Sequence, residues 1–416
     1  MLSPKSAETV RITLPAVAAA IGEVTPLFYE KLFAAHPELL RDLFNRAHQA
    51  DGSQREALAG SIAAFATHLL DHPDERPDAL LNRIAHKHAS LGVRENQYPI
   101  VQRHLFAALA EVLGDAVTEG VAAAWDEVYW LMANGLMAAE RRLYAAAGAA
   151  DGDTWRTYRV AGRVAETEDV ATFFVRPADD RPMPPSLPGQ YVSVQVELAD
   201  GAHQIRQYSL SGQPDGGLQF SVKRVPGGSD AAAGTAHPAG EVSGHLHDHV
   251  HEGDTLRVSA PFGEVVLDEG DRPLLFATAG IGCTPAIGML SHLAAAGSPR
   301  RIIAAHADRT PATHAFRDDL RQLTGKLPNA TAEVWYEQPG PEATGARADA
   351  AGSGDEPAPT VRQGRMDLGA LEIPPGTVAY LCGPVPFMKA ARAQLLAAGV
   401  RPADLHYEVF GPDLGL

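Results

Sequence analysis

The chain has 416 residues, enough for two or three domains that each bury a core of their own. A formal net charge of −16 with no extended cluster of Lys and Arg argues against a nucleic-acid-binding protein, because neutralising phosphates needs clustered positive charge. With 45% hydrophobic and 21% charged residues and two cysteines, we expect a globular cytoplasmic protein with no transmembrane segment, no secretory leader and no disulfide framework.

The first third of the chain is predicted to be helical. From Thr9 to about Ala147, apolar residues recur at helical spacing without an alternating strand pattern. The apolar face of one such helix consists of Leu58, Ile62, Phe65 and Leu69. Gln54 lies in the first turn of this helix. Its side chain is expected to point toward the part of the protein that the apolar face packs against. We therefore expect a bundle of short helices.

The helix from Leu81 to Leu91 offers a candidate metal ligand. His88 shares its apolar row with Ile84, whereas His86 lies about 200° round the helix from His88 at ~100° per residue. We expect His88 to face the interior and His86 to face solvent. An inward histidine alone fits two roles, a hydrogen-bonded core residue or a metal ligand.

This helical region resembles the globin domain of the flavohaemoglobins. The motifs that carry the resemblance are, in order, Phe28-Tyr29-Glu30-Lys31-Leu32-Phe33, Pro37-Glu38-Leu39, Leu43-Phe44-Asn45, Gln54-Arg55-Glu56-Ala57-Leu58, Lys87-His88 and Gln97-Tyr98. The resemblance implies haem b with His88 as the proximal iron ligand. It also implies that Tyr29 and Gln54 form a distal polar pair and that Phe44 and Leu58 form an apolar pocket wall. Tyr98 and Glu140 would be the proximal partners of the histidine. Lys87 would lie beside the haem propionates.

Each of these polar residues could also have an ordinary structural role without any part in ligand binding. Tyr29 could be a core tyrosine with a satisfied hydroxyl, and Gln54 a solvated residue of a first helical turn. Glu140 could be a solvated helix residue beside Arg141. The globin reading is favoured because all of these residues occur together in family order.

After residue 153 the composition becomes rich in β-branched residues and in Gly and Pro turns, which predicts a small antiparallel barrel that ends near Gly263. Its predicted strands lie around 155–170, 172–175, 191–194, 219–222 and 255–258. Two motifs, Pro188-Gly189-Gln190-Tyr191 and Arg206-Gln207-Tyr208-Ser209-Leu210, resemble the ferredoxin-reductase-like flavoproteins. The resemblance implies FAD, with Tyr208 stacked on the isoalloxazine, Ser209 reaching the flavin and Arg206 on the pyrophosphate. Tyr191 is expected on the adenine or flavin side.

The chain departs from that family in one place. An insert from Ser229 to Glu241, rich in Ser, Ala and Gly, separates Gly227-Gly228 from Val242-Ser243. We expect this insert to be a surface loop. It makes Ser243 a less secure cofactor contact than Arg206.

From Pro273 the pattern changes to strand, glycine turn and helix, which is typical of a nucleotide site in a parallel α/β sheet. The turn reads Ala279-Gly280-Ile281-Gly282-Cys283-Thr284-Pro285. Cys382-Gly383-Pro384 resembles the turn beside the nicotinamide, where Cys382 is either a chemical residue or a small residue that lets the nicotinamide approach. The last segment, Tyr407-Glu408-Val409-Phe410-Gly411-Pro412, resembles the segment that covers the flavin, which would put Glu408 near the gap between flavin and haem. The stretch from Gly340 to Pro359 is predicted to be mobile and is assigned no function.

In all three parts the chain resembles a flavohaemoglobin. The expected domains are an all-α globin haem domain (1–149), an antiparallel β-barrel FAD domain (150–266) and an α/β parallel-sheet NAD domain (267–416). The resemblance implies a nitric oxide dioxygenase in which NADH or NADPH reduces FAD, FAD reduces the haem iron, and dioxygen and nitric oxide are converted to nitrate. No obligatory protein partner is expected. Two alternatives stay open: an NAD(P)H-dependent haem oxidase or peroxide reductase, and an oxygen or nitric oxide sensor.

Overall fold

The structure is a computed structural model that describes residues 1–50, 52–149, 152–214, 216–230, 235–340 and 359–411. Three predicted segments fall wholly or in part outside these ranges. They are the mobile stretch between Gly340 and Pro359, residues 231–234 of the loop predicted from Ser229 to Glu241, and the contribution of Pro412 to the closing segment.

The N-terminal domain is a bundle of helices. They are α1 (Pro4–Ala35), α2 (Pro37–Asp42), α3 (Arg46–Ala50), α4 (Ser53–Asp71), α5 (Asp78–Leu91), α6 (Tyr98–Leu113) and α7 (Glu119–Ala147). The start of α7 is capped by Thr118, whose hydroxyl accepts from the Val121 N–H. Its C-terminus is at Gly148, which has a φ of 67° that glycine adopts without steric cost.

Helix α1 corrects one expectation. By length and composition it is apolar enough to cross a membrane, whereas no such run was expected from the sequence. Seven of its residues, Val10, Val17, Val24, Thr25, Phe28, Tyr29 and Leu32, are buried. All but Thr25 belong to the main apolar core of the helical domain, so within this fold α1 packs as a core helix.

The second domain is a closed antiparallel barrel with strand order β1-β2-β5-β4-β3-β8. Its strands are β1 (Trp155–Ala165), β2 (Val170–Pro177), β3 (Tyr191–Glu197), β4 (His203–Gly212), β5 (Leu218–Lys223) and β8 (Thr255–Ser259). Alternate side chains of these strands fill the interior, as the two-residue period predicts. Helix α8 (Glu241–His249) follows the insert and leads into β8.

The insert was expected to be a loop, and this prediction was wrong. It contains a two-stranded antiparallel pair, β6 (Gly228–Asp230) and β7 (Thr235–His237). The backbone of a small-residue segment satisfies its own N–H and C=O groups by this pairing, which a composition-based reading misses.

The third domain is a six-stranded parallel sheet with order β12-β11-β10-β9-β13-β14. Its elements are β9 (Leu274–Ala279), α9 (Thr284–Ala295), β10 (Ile302–Asp308), α10 (Arg317–Gly325), β11 (Ala330–Tyr336), β12 (Thr360–Gln363), β13 (Val378–Cys382), α11 (Val385–Ala397) and β14 (Leu405–Glu408). The strand order reverses at β9, so the crevice beyond its C-terminal end is the switch point where ligands bind in such sheets. The predicted fold class, a helical domain followed by a β-barrel and a parallel α/β domain, is confirmed.

Candidate functional site

His88 lies in a hydrogen-bonded network on the inner side of α5. Its Nδ1–H donates to Oε1 of Glu140 at 2.8 Å and lies 3.1 Å from the Tyr98 hydroxyl, which itself donates to the same carboxylate oxygen at 2.6 Å. Glu140 is only 2% exposed, so the reading of this residue as solvated does not hold. Because both contacts use Nδ1, Nε2 is the nitrogen available to an iron ion.

The same network keeps Tyr98 protonated. Burial, followed by the negative charge of Glu140, raises the pKa of the Tyr98 phenol. A neutral phenol and an imidazole N–H therefore converge on one buried carboxylate. This donor set suits a haem-ligating histidine, because a carboxylate partner makes the imidazole more electron-rich.

His86 does not face solvent, contrary to the prediction. Its Nδ1 accepts a hydrogen bond from the Gly263 N–H at 2.9 Å, and burial lowers its pKa. The helical wheel places His86 correctly on the side of α5 away from His88. That side, however, is where the barrel docks.

The distal candidates meet around the hydroxyl of Tyr29. Tyr29 is 5% exposed, and its hydroxyl contacts the side-chain amides of Gln54 and Gln49. Burial raises its pKa to about 12, so it remains a neutral donor. The ring of Phe44 stands edge-on to the Tyr29 ring at 5.8 Å, and Leu58 packs against the same core.

Gln49 was not identified from the sequence. Its Nε2 atom is buried and reaches the Tyr29 hydroxyl without forming a hydrogen bond of good geometry among the described residues. A buried, poorly satisfied amide donor beside Tyr29 and Gln54 fits a pocket whose occupant is polar, such as a ligand on a haem iron. No local sequence signal distinguishes this glutamine from a solvated one.

The flavin motif occupies strand β4. Ser209 of this strand pairs with Tyr191 of β3, and the Tyr208 ring stacks on Phe220 at 5.6 Å. Burial lowers the pKa of the Arg206 guanidinium, and the negative charge of Glu241 opposes this shift in part. A largely desolvated guanidinium favours a bidentate anionic partner, so the site fits a diphosphate.

A side-chain contact between α5 and β4 joins the two cofactor regions. The Lys87 ammonium donates to Oε1 of Gln207, and the Gln207 amide donates to Ser193 Oγ at 2.9 Å. Lys87 is reached by solvent, yet atoms of both domains surround it, and this partial burial lowers its pKa to about 8. The negative charge of Glu408 opposes that shift, so Glu408 lies close enough to Lys87 to interact with it electrostatically.

Three domains meet at Arg83, five residues before His88 on α5. Its Nε donates to Oε1 of Glu264 at 2.7 Å, and its guanidinium lies 4.5 Å from the centroid of the Tyr407 ring. Phe410, three residues after Tyr407, is 49% exposed, and Val409 packs against the core of the third domain. The closing segment therefore runs from an interdomain contact to an exposed aromatic ring.

The nucleotide turn follows β9 at the switch point. Gly280 has a φ of 54°, and α9 begins at Thr284 with Pro285 in its first turn. A Cβ on Gly282 would lie 2.7 Å from the Gly383 nitrogen and closer still to the Cys382 carbonyl. Close approach of the two turns therefore requires glycine at position 282.

Both thiols are buried. Burial raises the pKa of both Cys283 and Cys382, and the Cys283 Sγ–H points to the Ala315 carbonyl at 3.8 Å in the domain core. The buried Cys382 thiol thus fits a small packing residue rather than a chemical one. Ile281 packs with Cys283 in the core of this domain.

Comparison with known families assigns the three parts separately. Residues 27–136 match the Globin family, residues 157–267 the oxidoreductase FAD-binding domain family, and residues 276–393 the oxidoreductase NAD-binding domain family. The three matches follow one another in the order of the three folded units described above.

Similar proteins span the whole chain. The flavohemoprotein of Bordetella pertussis is 41% identical over 423 residues and covers 99% of both chains, and that of Chromobacterium violaceum is 40% identical over 421 residues and covers 100% of both. A flavohemoglobin from Malassezia yamatoensis, solved with bound FAD and haem, superposes with a TM-score of 0.85 at 34% identity over 99% of this chain and 100% of that one. The flavohem-like FAD/NAD-binding domain of nitric oxide dioxygenase from Vibrio cholerae gives a TM-score of 0.52 at 34% identity, covering 62% of this chain and 99% of that one.

Proposed function

Because the chain belongs to the flavohaemoglobin family, we propose that it is an NAD(P)H-dependent nitric oxide dioxygenase that binds haem b, FAD and a nicotinamide nucleotide. The observation that carries the proposal is the contact between Lys87 and Gln207, one residue before His88 and one before Tyr208. It brings the proposed haem-ligand helix and the proposed flavin strand into direct contact. An electron supply built against an oxygen-binding site supports turnover rather than simple binding.

The reaction divides between the cofactors and the protein. When bound, FAD would couple the two-electron nicotinamide donor to the one-electron haem acceptor, and the haem would supply the site at which dioxygen, nitric oxide and one electron give nitrate. Glu140 and Tyr98 hold the His88 ring and increase its electron density through Nδ1. Tyr29 and Gln54 provide an O–H and an amide N–H to a polar ligand on the opposite side.

The reductase half uses fixed protein groups as well. Arg206 would bind the FAD diphosphate, Tyr208 and Ser209 would contact the flavin, and the glycine turn between β9 and α9 would receive the nucleotide phosphates. Glu408 and the segment from Val409 to Gly411 would cover the flavin beside the contact between Lys87 and Gln207.

The proposal includes the domain limits 1–149, 150–266 and 267–416 and a cytoplasmic location. Dioxygen and nitric oxide are the proposed substrates, and no obligatory protein partner is required. Either NADH or NADPH serves as the donor. The breaks between helix α7 and strand β1 and between β8 and β9 support these limits.

The test is anaerobic reduction with NADH followed by rapid mixing with dissolved oxygen and nitric oxide. The haem Soret band, the flavin absorbance and nitrate are followed together. We expect nitrate in proportion to nitric oxide over repeated turnovers. Haem reduction and oxygen consumption without nitrate would favour the oxidase alternative, and a single slow turnover would favour the sensor. A protein without a haem band would refute the proposal.

A further inference from the structure

Gln204 ties the flavin-binding barrel to the globin domain. It lies on β4, two residues before Arg206, and is 0% exposed. Its Nε2 donates to the carbonyls of Leu40, Arg41 and Phe44 at 3.4, 3.0 and 3.3 Å, and its Oε1 accepts from the Arg46 N–H at 3.3 Å. One buried side chain therefore satisfies four backbone groups where α2 ends and α3 begins.

The corner that Gln204 holds forms a wall of the predicted haem pocket. The Phe44 carbonyl accepts from Gln204, and the Phe44 ring packs edge-on against Tyr29 at 5.8 Å and Phe33 at 5.3 Å. A shift of this corner would therefore move the ring that supports the distal tyrosine. Protein interiors are close-packed, so such a shift passes directly to the neighbouring ring.

The same strand reaches the other side of the pocket. Gln207, three residues further along β4, accepts from Lys87 beside His88. Leu210 touches the third domain, because its carbonyl leaves no room for a Cβ on Gly288 of α9. Strand β4 thus contacts the distal corner, the proximal helix and the nucleotide domain along one rigid stretch of backbone.

We propose that Gln204 is a positioning residue that fixes the distal haem-pocket wall at Phe44 to the flavin-binding strand. The inference rests on the proposed haem site between Phe44 and His88. It makes the geometry of the distal ligand dependent on a residue of the FAD domain. Neither the flavin motif nor the globin motifs include this position.

The experiment compares the full chain, loaded with haem and FAD, with a Gln204→Met variant that conserves volume but removes all four hydrogen bonds. Gln219→Met is the matched control, because Gln219 donates to Ser211 Oγ at 3.2 Å within the barrel. The measured quantities are the C–O stretching band of the ferrous carbon monoxide complex and the oxygen dissociation rate. The rate of flavin reduction by NADH is recorded in each variant.

We expect Gln204→Met to shift or split the C–O band and to raise the oxygen dissociation rate by about tenfold, the effect of losing one good hydrogen bond to the ligand. Flavin reduction should be unchanged, and Gln219→Met should match the wild type. If Gln204→Met retains no haem, Gln204→Asn, which keeps the amide on a shorter stem, is expected to give the same band shift in milder form.

Two outcomes would overturn the inference: an unchanged C–O band and oxygen rate in haem-loaded Gln204→Met, or equal changes in Gln219→Met. A wild-type chain that binds no haem would refute the proposed function and this inference with it. That failure is visible in the Soret band before any variant is compared.

Discussion

Single residues set the chemistry on the proximal side. Glu140 is buried and accepts from both His88 and Tyr98 through one oxygen. Such a carboxylate strengthens the donation of the imidazole to an iron ion and holds the ring in one orientation. The proximal network therefore depends on the charge of one side chain.

Replacing that charge provides a direct test. Glu140→Gln keeps the size of the side chain but removes the anionic acceptor, so turnover should fall roughly 10- to 100-fold, as is usual for partners of metal ligands. The iron–histidine stretching frequency of the ferrous protein should fall as well. Resonance Raman spectra and nitrate formation measure the two effects.

Glu95→Gln is the matched control, because Glu95 pairs with Arg141 at 2.8 Å on the surface, where both side chains are more than half exposed. Such a pair contributes little, so this variant should behave as the wild type. An unchanged stretching frequency in Glu140→Gln would remove Glu140 from the proximal role.

At the scale of elements, the nucleotide crevice depends on how closely two turns approach. The turn after β9 lies against the turn after β13 at Gly282 and Cys382. Neither turn forms the crevice alone, since the strands that carry them are separated by about a hundred residues of chain and meet only as neighbours in the parallel sheet.

Gly282→Ala should separate these turns. The added methyl group would overlap the Cys382 carbonyl, so we expect the third domain to lose about 1–3 kcal/mol of stability and flavin reduction by NADH to slow. Gly244→Ala in α8 is the control, since no atom lies within 4 Å of the new Cβ and a helical alanine is favoured by about 1 kcal/mol. Urea unfolding and stopped-flow flavin reduction measure both variants. Wild-type flavin reduction in Gly282→Ala would contradict the close-approach argument.

The third domain should also lose stability in acid because of His314. This residue is buried, its Nδ1 lies 2.8 Å from the Tyr336 hydroxyl, and its ring stacks on His306 at 4.0 Å. Burial, followed by the charges of His306 and Arg317, lowers its pKa to about 2, and the negative charge of Asp308 only partly opposes this shift. The unfolded chain takes up a proton near pH 6.5 and the folded domain does not, so stability falls as the pH drops below that value.

His314→Asn should remove that dependence. Below about pH 6, the free energy of unfolding of the wild type should fall more steeply than that of the variant, by about 1.4 kcal/mol per pH unit for one proton. Labelling of the two cysteines, both buried in the third domain, reports its unfolding in urea. Parallel pH profiles of the two proteins would contradict the assignment.

At the scale of the whole molecule, the two cofactor sites lie in separate folded units joined through polar contacts. Arg83 with Glu264, Lys87 with Gln207, and Gln204 with the carbonyls around Phe44 connect them. Haem and flavin sites should therefore fail independently, while electron transfer between them requires the joined molecule.

His88→Ala tests this independence. The variant should lose haem but keep flavin-linked reduction of an artificial acceptor by NADH, because the flavin residues lie on β4 of the barrel. Arg206→Ala should show the converse, weakened FAD binding with a normal haem band. Haem and flavin contents after gel filtration, with acceptor assays, measure both. Loss of both activities in His88→Ala would contradict the division into domains.

Periodicity and motif order in the sequence determined the three-part fold, since helical and strand patterns depend on local burial alone. The helical wheel likewise selected His88 rather than His86 as the inward residue. Turn chemistry was less predictable: the paired strands β6 and β7 lie where a loop was expected, because small polar residues satisfy either conformation.

Only the tertiary structure decided whether solvent or another domain lies against the polar face of each helix and strand. Three such contacts are His86 with Gly263, Gln49 with Tyr29, and Gln204 with four backbone groups of the globin domain. Each joins residues that are far apart in the chain or that look like ordinary polar residues in the sequence. A sequence pattern shows which side of an element is apolar. It does not show whether the hydrogen-bonding groups of a polar side chain are paired with water or with another domain. The docking of the three domains decides which of the two it is, and it also sets the geometry of the contact between α5 and β4.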